Sequence, residues 1–417
     1  MFTNLYKKSL FLLTFIIIFQ LLTQIPFLRF NFRRLLLLIK PFKESIEICP
    51  SLQNKLESII SLNRDNWSIT TINSDGNVTS HINGDVKRIP ASNQKLLTTA
   101  FALDKLGPTH ILETALYASK NGNYIFTGQG DPDLSFSSVK QFTKSIKEHS
   151  VKHGLNQLNI LIKEEPRSTW WPNTWAYADR YESYGAPITR LALTSNSGQY
   201  SFMYPLDRFK NTVRSFLDYP IRFSTIESNN NQLFNRSKSF SLINKIESAP
   251  LFSLLALSNS ESHNFTSEVL LKTTSNTWDT SKAALILEKW IRSLPIPSES
   301  FSVSDGSGLS RDNLATTNGI SHLLYFMDKH RYSPYYISSL SILGTRGTLK
   351  YFPDSVNLHG IFYGKTGTLN GVRSVSGYLF RDNIINYISI ISNGLSEVDP
   401  VIAEILNTIN TDSICFQ

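Results

Sequence analysis

The chain has 417 residues, 41% hydrophobic and 12% aromatic, so it can hold about two or three domains with apolar cores. Its formal charge of +8 is concentrated at one end. Lys7, Lys8, Arg29, Arg33, Arg34, Lys40 and Lys43 meet no acidic residue, and everything beyond Lys43 carries only +1. That distribution excludes a nucleic-acid-binding body and fits a basic flank around a membrane segment.

Ser9 to Leu28 runs for 20 residues without a charge, long enough to span a bilayer and also suited to the apolar core of a secretory signal. No Ala-x-Ala-like cleavage site follows, since no Ala precedes Ala91 and no Gly precedes Gly76. The reading favours an uncleaved signal-anchor at about residues 9–28, within an N-terminal unit 1–44. A cleaved signal peptide and a secreted body are the alternative. Lys7 and Lys8 favour an N-terminus inside, yet more cations follow the segment than precede it, so the charge rule alone does not orient it.

Leu52, Leu56, Ile59 and Ile60 predict a helix over Pro50 to Leu62. Trp67 to Ile72 and Val78 to Ile82 flank Asp75-Gly76, a hairpin signal. A helix then starts near Ser92, with Leu96, Ala100, Leu103 and Leu106 on one stripe and Gly107-Pro108 ending it. Ile111 to Tyr117 and Asn123 to Phe126 predict a second hairpin around Asn121-Gly122, followed by a Gly/Asp/Pro-rich loop over Thr127 to Leu134. Ser138 to Ser150 reads as a helix and Leu158 to Ile162 as a strand. Trp170, Trp171 and Trp175 with Tyr177, Tyr181 and Tyr184 read as core or interface packing. Leu191 to Tyr204 looks like strands, and the Asn- and Ser-rich stretch Ser224 to Asn244 like a connecting loop with short strands. Helices follow over Ala249 to Leu257, Asn264 to Thr273, Ser281 to Ser293 and Thr316 to Lys329. Strands over Val375 to Phe380 and Asn386 to Ser392, joined at Arg381-Asp382-Asn383, and a helix over Asp399 to Ile409 close the chain.

Ser92 and Lys95 lie three residues apart at a helix start, so Oγ and Nζ share a face. A serine hydroxyl needs a base, and a lysine serves if its pKa is pushed down. Two further motifs follow in order. Ser262-His263-Asn264 precedes a helix, and Gly364-Lys365-Thr366-Gly367-Thr368 enters a predicted edge strand. Each is common alone, but the ordered set Ser-x-x-Lys, Ser-x-Asn, Lys-Thr-Gly is the signature of penicillin-interacting serine enzymes. The other histidines form no convincing ligand set, so no metal and no cofactor are expected. Cys49 and Cys415 lack metal-type spacing. Either they form one disulfide, if the body lies in an oxidising compartment and its ends meet, or they are two thiols.

Asp305 to Arg311, Gly344 to Leu349, Lys365 to Leu369 and Ser376-Gly377-Tyr378 resemble the D-alanyl-D-alanine carboxypeptidase/endopeptidase family, the class C type of low-molecular-mass penicillin-binding protein. Gly130 to Leu134, Tyr184 to Ile188 and Ser267 to Leu271 resemble further blocks of that family. The resemblance covers nearly everything from about Pro50 to the last helix. It implies an α/β (α+β) fold: a penicillin-binding transpeptidase/β-lactamase-like domain with an antiparallel sheet flanked by helices, interrupted by a β-rich insert of one or two subdomains. The 170 residues between Ser92 and Ser262 agree independently, since one helical subdomain needs far fewer. The expected division is 1–44, 45–112 (first part), 113–244 (insert) and 245–417 (second part).

The resemblance then implies the following roles as expectations. Ser92 attacks the penultimate D-alanine carbonyl and Lys95 is the base, its neutral form favoured by burial and by the charge of Lys365. Ser262 relays a proton to the leaving amine, and Asn264 orients Lys95 and the substrate amide. Lys365, Thr366 and Thr368 seat the terminal carboxylate, and Gly367 permits close approach of the peptide. By resemblance, the backbone N–H groups of Ser92 and Thr368 form the oxyanion hole. His263, where an acidic or amide residue is more usual, reads as tolerated, and Asp305 to Arg311 as a buttressing loop. The expected partners are peptidoglycan stem peptides, β-lactams as covalent inhibitors and the membrane through the N-terminal segment, with the body periplasmic or otherwise extracytoplasmic. A β-lactamase-type hydrolase and a non-catalytic peptidoglycan-binding protein are the competing readings.

Overall fold

The computed structural model describes residues 45–227, 240–353, 356–381, 384–412 and 415. The expected membrane anchor and the Asp382-Asn383 turn lie outside the described residues. No helix among the described residues is long and apolar enough to cross a membrane.

A short strand β1 (Ser45–Ile46) and helix α1 (Pro50–Ile59), with Pro50 at its first turn, lead to the hairpin β2 (Trp67–Ile72) and β3 (Asn77–Ile82). Gly76 supplies the positive φ, +90°, that the turn demands. Helix α2 (Gln94–Leu106) follows a 3-10 turn over Ala91–Asn93 and stops at Gly107. Every residue of α2 from Gln94 to Leu103 is buried, so the helix runs through the interior. Truncating Leu96 or Leu103 there would cost about 2–5 kcal/mol.

The chain then leaves for a second layer. Strands β4 (Glu113–Ser119) and β5 (Asn123–Gly128), helix α3 (Phe136–Lys152), strand β6 (Leu158–Glu164), helix α4 (Pro205–Ser215), and strands β7 (Ile221–Glu227) and β8 (Phe240–Glu247) follow in order. They form a five-stranded sheet in the order β7-β6-β5-β4-β8, with α3 and α4 packed over Phe126, Ile160 and Ile162. Helices α5 (Leu251–Asn259), α6 (Asn264–Thr274) and α7 (Thr280–Arg292) come next, then β9 (Phe301–Ser302), β10 (Leu314–Ala315), α8 (Thr317–Asp328), α9 (Ser333–Ser338) and β11 (Ser341–Ile342). The chain closes with β12 (Phe362–Leu369), β13 (Val372–Arg381), β14 (Ile384–Asn393) and α10 (Asp399–Thr411).

The main sheet has the order β1-β3-β2-β14-β13-β12-β11. Its two faces follow the period of two in a strand. Val375, Leu379, Ile388 and Ile390 meet α1 and α10 through Leu52, Leu56, Ile402 and Leu406. Tyr378, Tyr387 and Ile391 belong to the core shared with α2, α5, α6 and α8. On its outer side β12 pairs only at Tyr363 and Gly364, with β11. From Lys365 to Leu369 that edge has no strand partner among the described residues. Cys49 and Cys415 form a disulfide with their Cα atoms 5.8 Å apart, tying the start of α1 to the segment beyond α10. Lys55 Nζ donates to Asp412 Oδ2 at 2.9 Å beside it.

One sequence expectation is corrected. Leu191 to Tyr204 holds a 3-10 turn over Leu193–Asn196, not strands, and α4 follows it directly. Pro205 at the first turn and Phe209 with Val213 on one face were the available signal, masked by the β-prone aromatics before them. Within Ser224 to Asn244 lie parts of β7 and β8, seven and eight residues long. Both are edge strands, and an edge strand tolerates the polar composition that reads as loop.

Candidate active site

The three motifs meet at the open edge of β12. The turn carrying Ser92 is clamped to the sheet: Ser374 Oγ donates to Pro90 O and Asn93 Nδ2 to Ser376 Oγ, both at 2.7 Å. Ala91, just before the serine, has φ +47°, a left-handed conformation that costs a non-glycine residue about 1–3 kcal/mol. Gly308 makes room for it, because a Cβ there would stand 1.9 Å from Ala91 O. Gly367 is needed for the same reason, since a Cβ on it would meet Ser92 N at 2.9 Å and Pro90 O at 2.7 Å. The backbone of β12 therefore lies directly against the nucleophile's own N–H.

Lys95 is wholly buried. Its Nζ donates to Ser92 Oγ at 2.9 Å, Asn264 Oδ1 at 2.7 Å and the Ser307 carbonyl at 2.7 Å, which uses all three N–H directions of an ammonium. Burial pushes its pKa down to about 7, against Asp305 and Glu268, which pull it up. The leading cause is thus desolvation, and the repulsion between the two lysines registers on Lys365. That residue, also fully buried, donates to Ser262 Oγ at 2.9 Å and to Thr366 O at 2.7 Å. Burial, then Lys95 and Arg373, push its pKa well below the ordinary lysine value, with Glu261 opposing. Ser262 is itself held at φ +59° between α5 and α6. Asn264, the first residue of α6, donates from Nδ2 to Tyr184 O at 3.0 Å, which links the site to the segment preceding Ala186.

Alternation along β12 separates the remaining residues. Lys365 and Gly367 face the α2 side, whereas Thr366 and Thr368 face the α10 side and reach the edge from there. Thr366 Oγ1 donates to Thr348 Oγ1 at 2.7 Å, and Thr368 Oγ1 accepts from Arg373. His263 turns its ring to Thr266 Oγ1 at 2.7 Å and to Phe265. Burial and the Lys95 charge push its pKa down to about 4.

The Asp305 loop does more than buttress. It offers the Ser307 carbonyl to Lys95, and Asp305 itself collects Gly308 N, Ser310 N, Asn313 Nδ2 and Trp175 Nε1 at 2.7–2.8 Å. Glu268 Oε1 accepts from Gly306 N and Ser307 N, and burial, first among its causes, raises Glu268 to about 7. Trp170, Trp171 and Trp175 are buried in the core that α2 crosses, as packing predicted, while Tyr177, Tyr181 and Tyr184 are exposed. A cleft of about 750 Å³ opens over Ser92, lined by Ser262, Asn264, Thr368, Trp175, Asp179 and Tyr184. Among the described residues no cluster of metal-ligating side chains is present.

A helix-flanked antiparallel sheet that joins these motifs at its edge has the fold of the penicillin-binding and β-lactamase-like proteins. The sequence matches the D-Ala-D-Ala carboxypeptidase 3 (S13) family over residues 50–213 and 224–407, and the chain belongs to that family. The D-alanyl-D-alanine carboxypeptidase of Actinomadura sp. (strain R39) is 23% identical over 409 residues, 76% of each chain. Penicillin binding protein 4 (dacB) from Haemophilus influenzae superimposes with a TM-score of 0.71 at 17% identity, covering 85% of this chain and 98% of that one. The penicillin G-acylated Bd3459 predatory endopeptidase from Bdellovibrio bacteriovorus superimposes with a TM-score of 0.55 at 16% identity, covering 84% of this chain and 91% of the other.

Proposed function

We propose that the chain is a serine DD-peptidase that acts on peptidoglycan stem peptides through an acyl-enzyme on Ser92, removing a terminal D-alanine, cleaving D-alanine cross-links, or both. The observation that carries this reading is the geometry of Lys95, a buried amine within 2.9 Å of the Ser92 hydroxyl and with a pKa near neutrality. Neutral Lys95 takes the Ser92 proton as Oγ bonds to the carbonyl carbon of the penultimate D-alanine. The oxyanion forms against the N–H groups of Ser92 and Thr368, a donor pair whose members are each worth ~3 kcal/mol in comparable sites. The C–N bond breaks as a proton passes from Lys95 through Ser262 to the departing amine. Water, deprotonated by the same base, then releases the acyl group. The terminal carboxylate sits at the Lys365 end, beside Ser262, Thr366 and Thr368.

A decisive test incubates the purified chain, wild type and Ser92→Ala, with a cross-linked muropeptide. Release of terminal D-alanine or scission of the cross-link by wild type alone supports the reading, and identical products from both proteins overturn it. The penicillin G-acylated state of the Bdellovibrio bacteriovorus endopeptidase supports β-lactams as covalent ligands. Labelled penicillin should form a long-lived adduct on Ser92; steady β-lactam turnover would point to a β-lactamase, and no labelling at all to a non-catalytic binding protein. We also place the body outside the cytoplasm, tethered by residues about 9–28. The Cys49–Cys415 disulfide supports an oxidising compartment. A reporter fused at Gln417 should be active only there, and cytoplasmic activity would sink the placement.

A further inference from the structure

Beside the carboxylate end of the cleft stands a charged group that the reaction scheme leaves without a task. Arg373 lies directly across from Thr368 in the β12–β13 register, so the two side chains share a face. Its Nη1 donates to Thr368 Oγ1. Its Nε and Nη2 grip the carboxylate of Asp399, at the head of α10, with Nη2 to Oδ2 at 2.7 Å. The guanidinium is thereby fixed in one orientation by two residues on different elements. Its side chain remains 19% exposed. It is also close enough to Lys365 for the two charges to repel.

A hydroxyl that accepts a hydrogen bond from a cation has its own O–H directed elsewhere and more strongly polarised. At Thr368 the remaining direction is the open edge, where Thr368 lines the cleft. We infer that Arg373 is a positioning residue for the substrate's terminal carboxylate: held by Asp399, it turns the Thr368 hydroxyl into a dedicated donor to that carboxylate. Chemically, the site selects a peptide ending in a carboxylate over the same peptide ending in an amide, and the selection runs Asp399 to Arg373 to Thr368 to ligand. This rests on the peptidase reading above.

The test uses the full chain and two N-acylated D-alanyl-D-lactate esters, one with a free carboxylate and one amidated at its C-terminus. Both carry the same scissile ester, so their ratio of kcat/KM isolates carboxylate recognition from chemistry. Arg373→Gln should lower kcat/KM for the acid by about 10–100-fold, the range of a charge-assisted hydrogen bond, and leave the amide within a factor of two. Thr368→Val should reduce the same ratio, and the double variant should add little to either single change. Arg373→Lys should recover only part of the ratio, because an ammonium cannot hold the Asp399 fork and the hydroxyl together. Equal losses on both esters, or additive effects of Arg373→Gln and Thr368→Val, would overturn the inference and leave a structural arginine. Wild-type protein that turns over neither ester would overturn the peptidase reading itself, a result distinct from an unchanged acid-to-amide ratio in an active enzyme.

Discussion

Acylation of Ser92 should depend on pH through Lys95. The base must be neutral when it takes the serine proton, so its activity is lost as pH falls through its pKa. An ordinary lysine at pH 7 is neutral in about one molecule in 2,500, whereas a group with a pKa of about 7 is neutral in roughly half. Burial therefore raises the competent fraction by about a thousandfold at neutral pH. The expected profile of the single-turnover rate with labelled penicillin has an acid limb centred near pH 7, falling about tenfold per unit below it. Glu268 pulls the Lys95 pKa upward, so Glu268→Gln should move that limb to lower pH. Lys95→Arg keeps a cation that cannot accept a proton, and should lose about a thousandfold or more while the protein still melts cooperatively. A flat profile between pH 5 and 8, a limb near pH 10, or an upward displacement in Glu268→Gln would refute the assignment of Lys95 as base.

Three further outcomes follow from the packing. Asp305→Ala strands four buried donors, including Trp175 Nε1, and should cost about 3–5 kcal/mol in urea unfolding, where a loss under about 1 kcal/mol would show that the loop holds without its acceptor. Gly367→Ala pushes a methyl against Pro90 O and Ser92 N, and acylation should fall at least about tenfold with little change in melting temperature; unchanged acylation would mean that the turn relaxes freely. Cys415→Ser opens a link between residues 366 apart in sequence and should cost about 2–5 kcal/mol in thermal or denaturant unfolding, whereas an unaltered midpoint would show that α1 and α10 are held by packing alone.

The local patterns were legible where chemistry and periodicity coincide. The Asp75-Gly76 turn and the stripe through Leu96, Ala100 and Leu103 both carry their meaning in a few nearby residues. Ser92, Lys95, Ser262, Asn264 and Lys365 were named from motif order, and the fold brings their atoms together over sequence separations of 103 to 169 residues. What the motifs did not carry was the shell around them. The Ser307 carbonyl meets Lys95, and the Glu268 charge enters its field, only because α6 and the loop after β9 close over α2. Arg373 looks like one more strand residue until the register sets it against Thr368. Thr366 and Thr368 lie on the face of β12 opposite to Lys365, as the period of two dictates, and reach the open edge from there. For β7 and β8 the sequence announced only short strands within a loop. Their partners lie on one side only, and an edge strand half in water has no apolar period strong enough to declare it.

The two lysines are compensated unequally. Lys95 has Asp305 and Glu268 in its field, whereas Lys365 is bonded only to neutral oxygens, Ser262 Oγ and Thr366 O, and shares its surroundings with Lys95 and Arg373. With Glu261 alone opposing burial and the two neighbouring cations, Lys365 holds its proton weakly in the free protein. A carboxylate arriving at the strand edge adds a second negative charge and raises the Lys365 pKa back toward its ordinary value. We therefore predict that binding of an N-acyl-D-alanine carboxylate to the free protein takes up a proton. The uptake should grow as pH rises above the depressed pKa of Lys365, and calorimetry in two buffers of different ionisation enthalpy would measure it. Uptake should vanish in Lys365→Met. No uptake at any pH between 6 and 9 in the wild type would show that Lys365 is already fully charged before substrate arrives.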